Sequence, residues 1–175
     1  MKRSFQALSP QEALHVAVFI EERNAELYHH FAEMFASFQD FASLEIAGVL
    51  WDMALEERHH SSMLQARYTA QYGHSACALT EADVLEMIEL PQLKGSEIFD
   101  STAVTARQNA LRLALGAETQ AREFYAELAR CVAEPDFQRV CEELASFEAD
   151  HVEALTRRLE ECGACGEPGK DLLSE

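Results

Sequence analysis

Glu-x-x-His places a carboxylate and an imidazole one turn apart on the same helix face, where both can reach one cation. The chain carries this pattern at Glu12/His15, Glu26/His29, Glu56/His59, Glu57/His60 and Glu148/His151. With so many glutamates and seven histidines some matches arise by chance, so the apolar spacing around each must decide which point inward. The inward stripes read Leu14, Val18, Glu21, Ala25, Tyr28, Ala32, Phe35, then Ile46, Leu50, Met53, Glu57, His60, Leu64. Further along they read Leu111, Ala114, Glu118, Ala121, Tyr125, Leu128, Val132, then Phe137, Val140, Leu144, Glu148, His151, Leu155. Each stripe has a glutamate at its middle, and two of them add a histidine one turn on. Glu12/His15, Glu26/His29 and Glu56/His59 fall off the stripes and read as surface polar residues.

Four helices must position these side chains. Ser9-Pro10-Gln11-Glu12 is a helix start with an N-cap, a proline at the first helical position and a capping-box glutamate. The 3.6-residue period then runs to about Phe38. A second helix starts near Asp40 or Ser43 and runs to Tyr72, with Gly73 as its stop. The third spans about Asp100 or Ser101 to Ala133, and Pro135 opens a fourth that ends near Cys162-Gly163. Residues 74–100 form a long crossover in which Thr80-Glu81-Ala82-Asp83 caps a short helix. The expected fold is an all-α four-helix bundle over residues 1–162, with a flexible tail at 163–175.

The halves resemble each other. Glu21-Glu22-Arg23-Asn24-Ala25-Glu26-Leu27-Tyr28 aligns with Glu118-Thr119-Gln120-Ala121-Arg122-Glu123-Phe124-Tyr125, and Glu57-Arg58-His59-His60 aligns with Glu148-Ala149-Asp150-His151. This is the pattern of a duplicated helix pair. Glu21 precedes the first connection by about as much as Glu57 and His60 follow it, and Glu118, Glu148 and His151 repeat the relation around Pro135. Antiparallel hairpins then bring four glutamates and two histidines to one level of the bundle. Four buried carboxylates repel one another and each costs several kcal/mol to desolvate, whereas two divalent cations cancel their charge. Six N/O donors without thiolate suit iron or manganese, a mixed pair included.

The chain resembles the ferritin-like superfamily, and its two Glu-x-x-His halves are similar to rubrerythrins that lack a rubredoxin domain. Glu56-Glu57-Arg58-His59-His60 is similar to the Glu-Glu-Arg-x-His run of ferritin second helices, and Glu118-x-x-Ala121-x-x-Phe124-Tyr125 to the rubrerythrin third helix. The resemblance implies a diiron site in which Glu57, with Glu118 or Glu148, bridges the metals, Glu21 is terminal, and His60 and His151 each bind one metal. Glu22 takes the place of Glu21 if the register shifts by one. No additional carboxylate stands near Glu118, where many rubrerythrins have one, and Arg58 follows Glu57 where bacterioferritin has its haem methionine. Tyr28 and Tyr125, two turns beyond Glu21 and Glu118, read either as core aromatics or as hydrogen-bond donors behind the ligands. No catalytic residue is expected beyond the ligands themselves.

Composition narrows the partners. The 175 residues have 48% hydrophobic and 26% charged members, enough for a core without disulfide staples. The net charge of −17 argues against nucleic acid and anionic membranes. Five scattered cysteines and a polar start without a signal peptide suggest the cytoplasm. Cys162 and Cys165 read as a reduced pair in the tail, and Cys131 and Cys141 as core-edge residues. The expectation is a homodimeric non-haem diiron oxidoreductase that reduces hydrogen peroxide or O2 with electrons from an external rubredoxin or flavoprotein. Ferroxidase or iron-storage activity, and oxygenation of a small organic substrate, are the alternatives.

Overall fold

The first helix begins where its cap is coded. Ser9 Oγ accepts the Glu12 amide at 3.3 Å, Glu12 Oε2 accepts the Ser9 amide at 2.8 Å, and Pro10 fills the first turn. The computed structural model describes residues 8–75, 77–80, 83–84 and 103–164. Four long helices lie within them: α1 (Pro10–Ala36), α2 (Phe41–Tyr72), α3 (Ala103–Cys131) and α4 (Pro135–Ala164). Asp40 caps α2 by accepting the Ser43 amide at 3.0 Å, and Gly73, at φ 64°, ends it in a conformation open to glycine.

α1 packs chiefly on α2 and α3 on α4, as two antiparallel hairpins. Arg107, in the first turns of α3, donates to Asp40 at 3.0 Å and to Ser43 Oγ at 2.9 Å, so α3 starts at the end of the bundle where α1 turns into α2. α2 has 32 residues, or about 48 Å at 1.5 Å per residue, and the crossover must cover that length. This is the all-α four-helix bundle with one long crossover that the sequence predicts. Asp83 caps Thr80 as expected, its Oδ2 accepting the Thr80 amide at 2.8 Å, but most of the short crossover helix lies outside the described residues. Gly163 and Ala164 continue α4 rather than opening the tail; Cys165 and the residues after it are likewise outside the described region.

The core is divided in two. One apolar cluster gathers Leu14, Ala17, Leu64, Tyr68, Tyr125, Leu128, Phe137 and Leu144; the other gathers Tyr28, Phe35, Ile46, Leu50, Leu111 and Leu155. On every helix the residues between the clusters are the glutamates and histidines of the stripes. A polar layer thus crosses the bundle at mid-height, walled above and below by close-packed hydrocarbon.

Candidate metal centre

That layer holds Glu21, Glu57, His60, Glu118, Glu148 and His151, and all six are buried, the carboxylates completely. Their donor atoms form two overlapping groups, each with all atoms within 4.8 Å of one another: Glu21, Glu57, His60 and Glu148 in one, Glu57, Glu118, Glu148 and His151 in the other. Glu57 and Glu148 belong to both, so Glu148 rather than Glu118 is the second shared carboxylate. Glu21 is the inward residue of its helix and Glu22 is exposed, which fixes the register of α1. Both histidines turn Nδ1 to the carboxylates: His60 Nδ1 is 3.3 Å from Glu21 Oε2, and His151 Nδ1 is 3.2 Å from Glu57 Oε1.

Proximity here is not hydrogen bonding. Both oxygens of Glu57, Glu118 and Glu148, Oε2 of Glu21 and Nδ1 of both histidines are buried without a hydrogen-bond partner. Groups left so are costly unless a cation completes them. The donor set fits a metal: four carboxylates balance the charge of two divalent ions, and the imidazoles supply nitrogen. These buried Glu/His groups are thus of a kind that can hold metal ions.

A second layer orients the first. The Tyr125 hydroxyl donates to Glu21 Oε1, and the fully buried Tyr28 hydroxyl lies beside Glu118. Tyr125 therefore orients the glutamate of the opposite hairpin, while the Tyr28 hydroxyl is buried without a hydrogen-bond partner. Burial, and after it the charge of Glu118 in one case and Glu21 in the other, raises both phenols well above their usual range, so they keep their protons. Glu56 is exposed, as its place off the inward stripe predicts, yet it reaches the site. Its Oε2 lies 2.7 Å from His151 Nε2, and since a carboxylate only accepts, Nε2 carries the proton and leaves Nδ1 to the site. At the matching position of the other hairpin stands Phe147, whose ring is 5.2 Å from that of His60. Glu12 is buried at the capping box, not on the surface. Cys131 is exposed and Cys141 is in the core, so only part of that pair's expected placement holds.

The charges of the cluster are interdependent. Burial drives the Glu57 carboxyl up to about 10, Glu21 adding to the rise against the pull of His151. Burial also takes Glu148 up to about 12, with Glu118 next in weight. Burial works to raise Glu118 too, but Glu148 and His151 outweigh it and hold this carboxyl below its usual value. His151 is raised despite its burial, because Glu118, Glu148 and Glu57 surround it. Protons thus occupy sites that a bound cation takes over, and binding must release them.

Three contributors escaped the sequence reading. Glu56 and Phe147 act across the bundle from α2 to His151 and from α4 to His60, and only the pairing of helices reveals them. Asn24 is buried one turn beyond Glu21 with Nδ2 lacking a partner, and its place on the inward face is visible from spacing alone.

No protein-family model matches the chain, and no curated protein does. Among solved structures it is similar to the crystal structure of COG1633, an uncharacterized conserved protein from Magnetospirillum magnetotacticum MS-1. The TM-score is 0.70 at 26% identity, over 95% of this chain and 100% of that one. The likeness extends to the whole four-helix architecture. No helix among the described residues is long and apolar enough to cross a membrane.

Proposed function

We propose that the protein is a non-haem diiron oxidoreductase that reduces hydrogen peroxide to water. Glu21, Glu57, His60 and Glu148 would hold one iron and Glu57, Glu118, Glu148 and His151 the other, Glu57 and Glu148 being common to both donor groups. The observation that carries the reading is the pair of overlapping four-donor groups in a layer with unpartnered buried oxygens. Two iron ions, when bound, supply the two electrons that O–O cleavage needs.

The chain's own residues do the rest. The two apolar clusters close the layer from above and below and exclude bulk water. Glu56 keeps the His151 ring turned with Nδ1 inward. Tyr125 holds a proton against Glu21 Oε1, and Tyr28 holds one beside Glu118. Conversion of one peroxide to two waters takes up two protons and two electrons. Tyr125, hydrogen-bonded to Glu21, orients that carboxylate, and both phenols stay neutral. Electrons come from an external donor such as a rubredoxin or a flavoprotein.

Anaerobic loading with Fe(II), metal analysis, and rapid mixing with peroxide and with O2 test the proposal. The expected result is a faster reaction with peroxide and turnover only with an added reductant. A fast O2 reaction with a sluggish peroxide reaction contradicts it, and release of ferric mineral identifies iron storage instead.

A further inference from the structure

Asn24 stands on the inward face of α1, one turn after Glu21 and one turn before Tyr28, and is only 3% exposed. Its Nδ2 is buried without a hydrogen-bond partner. A buried amide left so costs stability, and a leucine of the same branching would not. The fold does not demand the amide. The matching residue of the other hairpin is Ala121, 1% exposed, so a methyl group packs at the equivalent place. Nor do the terminal carboxylates call for it: Tyr125 donates to Glu21 Oε1, and the Tyr28 hydroxyl lies beside Glu118. Helix side chains lean toward the N-terminus of their helix, so Asn24 leans from its own turn back toward the level of Glu21 and the metal layer.

The acceptor that Nδ2 lacks must then come from outside the chain. We propose that Asn24 receives the small molecule on which the centre acts, its Nδ2–H donating to an acceptor atom of a ligand seated between α1 and the metals. A carboxamide also accepts through Oδ1, which suits hydrogen peroxide, itself both donor and acceptor. The inference rests on the metal reading above and adds a ligand-binding residue to it. It also makes the halves unequal in a second way: Asn24 offers a donor where Ala121 offers none, so one ligand binds per chain rather than two.

Wild type, Asn24→Leu and Asn24→Ala are compared first without metal and then loaded with Co(II), with sodium azide as the probe. In the apo-protein Asn24→Leu should melt above the wild type, because hydrocarbon replaces an orphaned amide. Midpoints lowered in both variants would mean that the amide is kept for packing, and would overturn the proposal. With Co(II) bound, azide followed by visible absorbance should saturate at one per chain. Its dissociation constant should rise about tenfold or more in Asn24→Leu, and less in Asn24→Ala, where a water can enter. Co(II) content should be the same in all three. Equal azide affinities overturn the proposal, and so does loss of Co(II) from the variants, which would make Asn24 a positioning residue for the metal ligands. A wild type that takes up no Co(II) ends the metal reading and this inference with it. Azide binding that depends on Asn24, in a protein that does not reduce peroxide when loaded with iron, supports the inference and sinks the peroxide reading alone.

Discussion

His60 and His151 hold equivalent places in the two hairpins, each with Nδ1 toward the shared carboxylates, but their rings meet different neighbours. Against His151 stands the Glu56 carboxylate, 2.7 Å from Nε2; against His60 lies the ring of Phe147, with centroids 5.2 Å apart. The two hairpins share these donors, whereas the residues just before Glu57 and Glu148 differ, Glu56 in one and Phe147 in the other. A carboxylate on the far nitrogen fixes the tautomer and makes an imidazole a stronger donor, while an aromatic ring fixes only its tilt. The two donor groups are therefore alike in residue types and unlike in surroundings, and the Glu118/His151 side is expected to bind the more tightly.

The shared residues give the largest effect. Glu57→Ala or Glu148→Ala removes a donor from both groups, and metal content after reconstitution should fall from about two per chain to well below one. Glu21→Ala or Glu118→Ala should leave about one, because each belongs to a single group. Equal losses in all four variants would erase the distinction between shared and terminal positions.

Metal should also stabilise the bundle, through both sides together. At a thousandfold excess over the dissociation constant the gain is about 4 kcal/mol, or roughly 10 °C in midpoint for a chain of this size. The pH dependence has a definite sign. Glu57 and Glu148 are raised from 4.5 to about 10 and about 12, so the folded apo-protein binds more protons than the unfolded chain. Their contribution is fully present below 4.5 and declines as pH rises toward 10, and the raised His151 adds the same trend above 6.5. Metal binding, which displaces these protons, should tighten over that range. Melting curves with and without Mn(II) at several pH values check both directions.

The difference between the halves comes next. Glu56→Gln should weaken one of two binding steps about 10- to 100-fold and leave the other unchanged. Phe147→Glu should strengthen the His60 side and bring the two steps together in a Co(II) titration. Identical isotherms for wild type and both variants would mean that the far-side neighbour does not matter. Smallest of all, Tyr125→Phe and Tyr28→Phe should keep both metals and slow peroxide turnover only a few-fold, with Tyr125, the phenol hydrogen-bonded to Glu21, the more sensitive.

Ends of helices and levels within them were legible in the sequence because each depends on local chemistry or a strict period. Ser9, Pro10, Asp40, Gly73 and Pro135 mark boundaries, and the stripes with their central glutamates place the polar layer. Glu56 was not legible for the same reason. Lying off the inward stripe of α2, it reads as solvated, and its partner is on α4, ninety-five residues along the chain. The choice between Glu118 and Glu148 as the second shared carboxylate also required the packing of α2 against α4, which no spacing along one helix encodes. Glu57 and Glu148, by contrast, stand out on both scales.

Anaerobic Fe(II) titration of the wild-type protein, followed by metal analysis after desalting, tests the dimetal centre most directly. Saturation at two ions per chain, in two distinguishable steps, is the predicted result. Saturation at one ion, or Fe(II) lost on desalting as readily from the wild type as from Glu57→Ala, would contradict it.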